Sequence, residues 1–194
     1  MANKRSLSML IVSDKSEFTT AIQSLLEQKY SASFTVTTSQ LQARNFAREE
    51  EYDVILVNCP LDGTLGDELA QNLVKLSYAS VVLLSPTQIT DRLKAKVEPD
   101  GVLVLEKPLK KEAFLEGIRL AVLVSQRTRF FYEENVRLKR KMAEMKKVDQ
   151  AKGLLIEYLK LSEPQAHHYI EQQAMELRKT KGEVAQSIIN TYQA

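Results

Sequence analysis

Five short apolar runs alternate with amphipathic stretches through the first half of the chain, and that rhythm leaves few folds open. "SMLIV" (8–12), "SFTVTT" (33–38), "DVILV" (53–57), "SVVLLS" (80–85) and "GVLVL" (101–105) read as strands. The third and fourth have continuous apolar runs, 54–57 and 81–84, rather than alternating ones. Strands of that kind are buried on both faces, as in the middle of a parallel sheet. Between them, residues 16–30, 39–51, 66–77 and 87–97 have helical periodicity, with Ser39 placed to cap the second. Five β-α units in series require a doubly wound parallel sheet with helices on both faces, so the fold class is α/β.

After "KPLK" the character changes. No Pro occurs between Pro108 and Pro164, and only Gly117 and Gly153 interrupt. A helix from about 110 to about 159 is too long for a globular core. A heptad places Ala121, Thr128, Asn135 and Met142 at one seam position, and Val124, Phe131, Leu138 and Met145 at the other. Two such helices pairing would make a dimeric coiled coil, with Asn135 fixing register. The competing reading lays the helix back on its own N-terminal domain. Beyond it, "SEPQ" (162–165) carries the capping-box pattern with Pro164 in the first turn, and Thr180 with Glu183 repeats the pattern. Helices over about 163–179 and 181–192 complete a three-helix C-terminal bundle. Its expected core is Leu154, Leu155, Tyr158, Leu161, Ala166, Tyr169, Ile170, Ala174, Leu177, Val184, Ala185, Ile188 and Ile189.

Charge divides along the same lines. Residues 1–106 hold 10 basic and 14 acidic residues, net −4; 107–153 hold 13 and 6, net +7; 154–194 hold 4 and 5, net −1. A basic segment behind an acidic half points to modules with different partners. No apolar stretch reaches eighteen residues, so no membrane span is expected. "MANKRSLSMLIVSDK" reads as a first strand rather than a signal peptide. One cysteine, Cys59, excludes an internal disulfide and suits a reducing cytoplasm. His167 and His168 are adjacent on a helix and face apart, so no metal site is expected.

In a doubly wound sheet, chemistry gathers where the strands end. Here the ends bring Ser13, Asp14, Asn58, Ser85 and Lys107. "LIVSDK", "DVILVNCPLDG", "VVLLSPT" and "VLVLEKP" resemble the receiver domain of bacterial response regulators over roughly 6–125. The resemblance implies that Asp14 matches the second of two acids, Ser85 the hydroxyl residue and Lys107 the family's lysine. Ser13 stands where the first acid belongs, and Asn58 where the phosphate-accepting Asp belongs. An amide oxygen is a poor nucleophile toward phosphorus. Mg²⁺ wants carboxylate and water ligands. Val104 replaces an aromatic that in the family often reports phosphorylation. The expectation is a folded pseudo-receiver with a degenerate phosphorylation site, in which Lys107 hydrogen-bonds Asn58 or pairs with Asp14. In a shifted register, Asp53 or Asp62 would be the acceptor instead.

The tail, with "QAKGLL", "LSEPQAHHYI" and "LRKTKGEVA" at this spacing, resembles the ANTAR domain, an RNA-binding output module of antitermination regulators. The resemblance implies an RNA-binding regulator that acts on leader-transcript stem-loops, with contacts at Lys152, Gly153, Arg178 and Lys179. Arg137 to Lys147 add cations, either for phosphates or as a solvated coiled-coil face. Tyr158, Tyr169 or His168 stack on a base, or the tyrosines belong to the core. The expected domains are 1–122 (receiver-like), 123–147 (coiled-coil linker) and 148–194 (ANTAR). The dimer interface is expected at Val124, Phe131, Asn135, Leu138, Met142 and Met145. No cofactor and no enzymatic activity are expected, because the strand ends pair no nucleophile with a base. Control would come from sequestration by a regulatory sensor protein, from a ligand, or from expression level, in place of phosphorylation. The alternatives are a DNA-binding response regulator and a non-catalytic interaction scaffold.

Overall fold

The computed structural model describes residues 5–61 and 63–192. Asp62 lies outside them. The chain divides into two compact units, Met1–Phe130 and Phe131–Ala194.

The first unit runs β1 (Arg5–Val12), α1 (Ser16–Glu27), β2 (Tyr30–Thr37), α2 (Gln40–Glu49), β3 (Val54–Asn58), α3 (Asp67–Leu76), β4 (Ser80–Pro86), α4 (Thr90–Val97), β5 (Leu103–Lys107) and the start of α5 (Lys111–Leu159). All strands are parallel, in the order β2-β1-β3-β4-β5. This is the doubly wound sheet that the alternation requires. Successive strand side chains point to opposite faces, so each central strand feeds two cores. Leu7, Met9, Ile11, Leu56 and Leu84 pack with Ile22, Leu26, Phe114, Ile118 and Val122. Leu10, Val12, Ile55, Val57 and Leu83 pack with Ala43, Leu69, Leu73, Leu93 and Val97.

Boundaries moved where a single residue outweighed periodicity. β2 begins at Tyr30 rather than 33, because the Tyr30 ring is buried beside Leu26 and ends the helix early. β5 begins at Leu103 rather than 101. Gly101, at φ 89°, closes a 3-10 turn over Glu98–Asp100, and the strand starts beyond it. Another 3-10 turn, Thr87–Ile89, precedes α4. Ser39 caps α2 as expected, accepting from the Gln42 N–H at 3.3 Å. Ala121 leaves the seam where the heptad placed it. It is 3% exposed against the sheet, and its carbonyl accepts from Ser80 Oγ at 2.7 Å.

In the second unit, α5 continues to Leu159 and is followed by α6 (Glu163–Leu177) and α7 (Lys181–Tyr192). The Ser162–Gln165 capping box forms in full, and Thr180 with Glu183 makes the equivalent bonds. Ala151, Leu154, Leu155, Ala166, Ile170, Ala174, Val184, Ala185, Ile188 and Ile189 form its core. Tyr158, Tyr169 and Leu177 do not join it; they are 53%, 40% and 54% exposed. The buried line of α6 is narrow, Ala166–Ile170–Ala174 at intervals of four, and Tyr169 and Leu177 sit beside that line. Tyr158 instead stacks on Tyr192, with ring centroids 5.0 Å apart.

Two left-handed glycines near the strand ends differ in what surrounds them. A Cβ on Gly63 (φ 72°) would meet nothing within 4 Å, whereas one on Gly66 (φ 70°) would lie 2.7 Å from the buried Cys59 Sγ. Gly63→Ala is expected to cost only the left-handed penalty, ~1 kcal/mol. Gly66→Ala adds overpacking and should cost ~2–4 kcal/mol in total. Urea unfolding of the intact chain, followed by far-UV circular dichroism, measures the difference; equal losses would contradict it.

Candidate functional site

The sheet order places β1 and β3 side by side at the point where the winding reverses. Their last residues, with the end of β5, form a closed polar chain. Lys107 Nζ donates to Asn58 Oδ1 at 2.7 Å and also to the Cys59 carbonyl. Asn58 Nδ2 donates to Ser13 Oγ at 3.0 Å, and the Lys15 N–H donates to the same oxygen at 3.1 Å. Ser13 and Asn58 are 2% and 1% exposed. The amide suits this place because it has an acceptor to face the lysine and a donor to face the serine. Of the two partners foreseen for Lys107, the structure selects Asn58. Asp14 is exposed and stands outside the chain of bonds. Burial holds the Lys107 ammonium below the ordinary lysine range, with the Lys15 charge acting in the same direction and Asp14 against it.

Ser85 does not join this group. Its hydroxyl donates to the Pro86 carbonyl at 3.0 Å and accepts from Thr90 Oγ1 at 3.3 Å, which ties the end of β4 to the first residue of α4. Asp53 lies at the opposite end of β3, where its carboxylate accepts from the Ser8 N–H at 2.8 Å. It is therefore remote from the strand ends. Val104 is buried, 5% exposed, in the sheet core.

In the second unit the expected contact residues fall into two groups. Lys152 is engaged: its ammonium lies 2.9 Å from Asp149 and 3.2 Å from Glu163, with its side chain 17% exposed. Those two hydrogen bonds raise its pKa. Gly153, next to it, is exposed, and a Cβ there would meet nothing within 4 Å. Arg178 closes α6 in the left-handed conformation, φ 52° and ψ 42°. The Lys179 N–H reaches back to Ala174 and the Arg178 N–H to Met175, the Schellman pattern. Lys181 pairs with Glu171 at 2.5 Å, and His167 approaches the same carboxylate at 3.2 Å. Along α5, Val124, Phe131, Asn135, Leu138, Met142 and Met145 are all exposed.

Comparison with known families matches a different one to each unit. Residues 9–119 match the response regulator receiver domain, and residues 136–189 match the ANTAR domain. The chain belongs to the ANTAR response regulators. The transcriptional regulatory protein PdtaR of Mycobacterium tuberculosis is 24% identical over 150 residues, covering 77% of this chain and 73% of that one. Among solved structures, a response regulator receiver domain protein from Clostridium thermocellum covers 62% of this chain and 97% of its own, at 18% identity and TM-score 0.55. An adenylate cyclase from Rhodopirellula baltica covers 70% of this chain and 98% of its own, at 19% identity and TM-score 0.56. At these identities the likeness is one of fold. Among the described residues, no helix is long and apolar enough to cross a membrane.

Two residues of this ANTAR response regulator escaped the sequence reading. Thr90, which holds Ser85, looked like an ordinary helix-start residue. Lys160, directly after α5, has φ 55°. Its signal was the spacing: a helix ending at 159 and a cap at Ser162 leave a two-residue turn, which commonly needs a left-handed residue.

Cys59 lies beside the polar chain, fully buried, and its thiol donates to the Leu65 carbonyl at 2.6 Å. Burial pushes this thiol up from 9.0 to about 12. Between those values the folded chain keeps a proton that the unfolded chain releases, so stability falls as pH rises above 9. From pH 9 to 11, the intact chain should lose up to ~1.4 kcal/mol per pH unit more than its Cys59→Ala variant. Denaturant titrations across that range give the difference; parallel curves would refute the assignment.

Proposed function

We propose that this chain is an RNA-binding transcription antitermination regulator, dimeric along α5, whose receiver-like half is controlled by a bound partner rather than by aspartyl phosphorylation. On this reading the work divides among residues 1–122, a linker over 123–147 and an RNA-binding module over 148–194, in the cytoplasm.

Gly153 carries the RNA reading. A glycine inside a helix costs about 1 kcal/mol relative to alanine. Nothing inside the unit requires one here, since the space where a Cβ would sit is open. Its use therefore lies outside the chain, in the close approach of a ligand to the helix surface within the segment that matches ANTAR. The density of cations in 137–147 suits a phosphate backbone. Unstacked bases in RNA loops then supply sequence to be read.

The strand ends support control without phosphate. A phosphorylated receiver needs a carboxylate nucleophile and a hard cation held by carboxylates. Here the Asn58 oxygen is taken by an ammonium group and the Ser13 oxygen by two N–H donors. Among the described residues at these strand ends, Asp14 is the one carboxylate. These residues do not fit Mg²⁺, because a cation would have to displace Lys107 from Asn58. The self-satisfied polar chain leaves a folded surface on which a sensor protein can act.

Incubation with acetyl phosphate and Mg²⁺ should leave the intact mass unchanged. One added phosphate located in the first unit would overturn the control proposed here. For the output half, an RNA hairpin enriched on the intact chain from a pool with a randomised loop should bind more tightly than duplex DNA of the same sequence. Gly153→Ala should weaken that binding roughly tenfold, equivalent to ~1.4 kcal/mol, while making the helix more stable. Preference for the duplex would favour a DNA-binding regulator. No binding to either nucleic acid would favour an interaction scaffold.

A further inference from the structure

Both α5 and α6 end on a basic residue in the backbone conformation that favours glycine. Lys160 follows α5 with φ 55°, and Arg178 closes α6 with φ 52°. At such positions glycine is the ordinary choice, because a Cβ crowds the adjoining carbonyl. A cation at a helix C-terminus does complement the dipole. The last turn of the helix would serve that purpose without strain, and neither α5 nor α6 has a basic residue there. The cation has been placed at the one position where it carries a backbone penalty. A strained position held against an unstrained alternative points to a use for the side chain.

The surrounding charges separate these two residues from Lys152 and Lys181. Lys152 lies between Asp149 and Glu163, and Lys181 lies against Glu171. An ammonium already neutralised by carboxylates displaces few counterions from a nucleic acid. Lys160 and Arg178 are exposed, and among the described residues no ion pair holds either.

We propose that Lys160 and Arg178 are the phosphate contacts of the bundle, and that Lys152 is not one but ties α5 to the first turn of α6. This inference rests on the RNA reading above and adds the atoms that grip the backbone. Its test uses the intact chain and the hairpin enriched on it. Lys160→Gly and Arg178→Gly each relax the backbone, so each should raise Tm by a few degrees. Each should also weaken hairpin binding roughly three- to tenfold at ~0.15 M salt and lower the salt slope of log K by about one. Lys152→Met should lower Tm and leave the slope unchanged. Gly variants with the wild-type slope would overturn the inference, as would a slope lowered by about one in Lys152→Met. If the pool yields no hairpin at all, the RNA reading itself fails, which is a different result from an unchanged slope.

Discussion

A parallel sheet whose strands are apolar on both sides cannot stand in water, and most of the first unit follows from that constraint. Both faces need helices, so the chain must alternate strand and helix and must cross over between strands. Winding from β1 toward one edge of the sheet and then, after β2, toward the other puts β1 and β3 side by side, with all five strands ending at the same edge. Residues as far apart as Ser13, Asn58 and Lys107 meet there because the sheet has no other way to be covered. The site is thus a consequence of burial, and its chemistry depends on which residues happen to end the strands.

What ends them here is an arrangement with a single charge. A half-buried lysine is costly unless acceptors replace its lost water. The Asn58 side chain and the Cys59 carbonyl supply them. Had two carboxylates stood at 13 and 58, their repulsion would call for a cation between them. With serine and asparagine the polar groups satisfy one another, and no buried side-chain oxygen or nitrogen among the described residues lacks a partner. The strand end keeps the packing of a receiver while its electrostatics no longer invite a metal or a phosphoryl group. On the function proposed above, such a regulator takes its signal through surface contacts, and Thr90 Oγ1 ties the first residue of α4 to Ser85 at the end of β4.

The sequence made the sheet legible because buried parallel strands leave continuous apolar runs, and the bundle legible because "SEPQ" and "TKGE" announce helix starts. What it concealed depended on three-dimensional neighbours. Tyr30 looked like a helix residue until its ring found Leu26. Tyr158 and Tyr169 have core-like spacing, yet a three-helix bundle buries only a narrow line on each helix. The ion pair of Lys152 with Glu163 was hidden, because only folding brings the two together. Ser85 was correctly placed at a strand end, but which way its hydroxyl points depends on Thr90, whose role no local pattern announces. Asn58 and Lys107 were assigned through their strands, but the choice between Asn58 and Asp14 as the partner of Lys107 is made only by the folded strand ends.

The least supported part of the chain is the middle of α5. Over residues 126–147 no side chain is buried, while Ser125 and Val122 before them and Ala151 after them are. Isolated helices of that length are marginal in water. Local pairs such as Arg137 with Glu134 contribute little, since exposed ion pairs are weak. Yet the segment carries Phe131, Leu138, Met142 and Met145, each about half exposed or more. A seam of large, half-exposed apolar residues on a stretch of helix with no buried side chain is what a second copy would cover. Asn135 at the centre of that seam would weaken the pairing but fix its register. The same segment holds the densest run of cations in the chain, so pairing two copies would also double the charge facing a phosphate backbone. On the function proposed above, dimerisation and RNA binding depend on the same stretch of helix, and a partner that opened the seam would weaken both together.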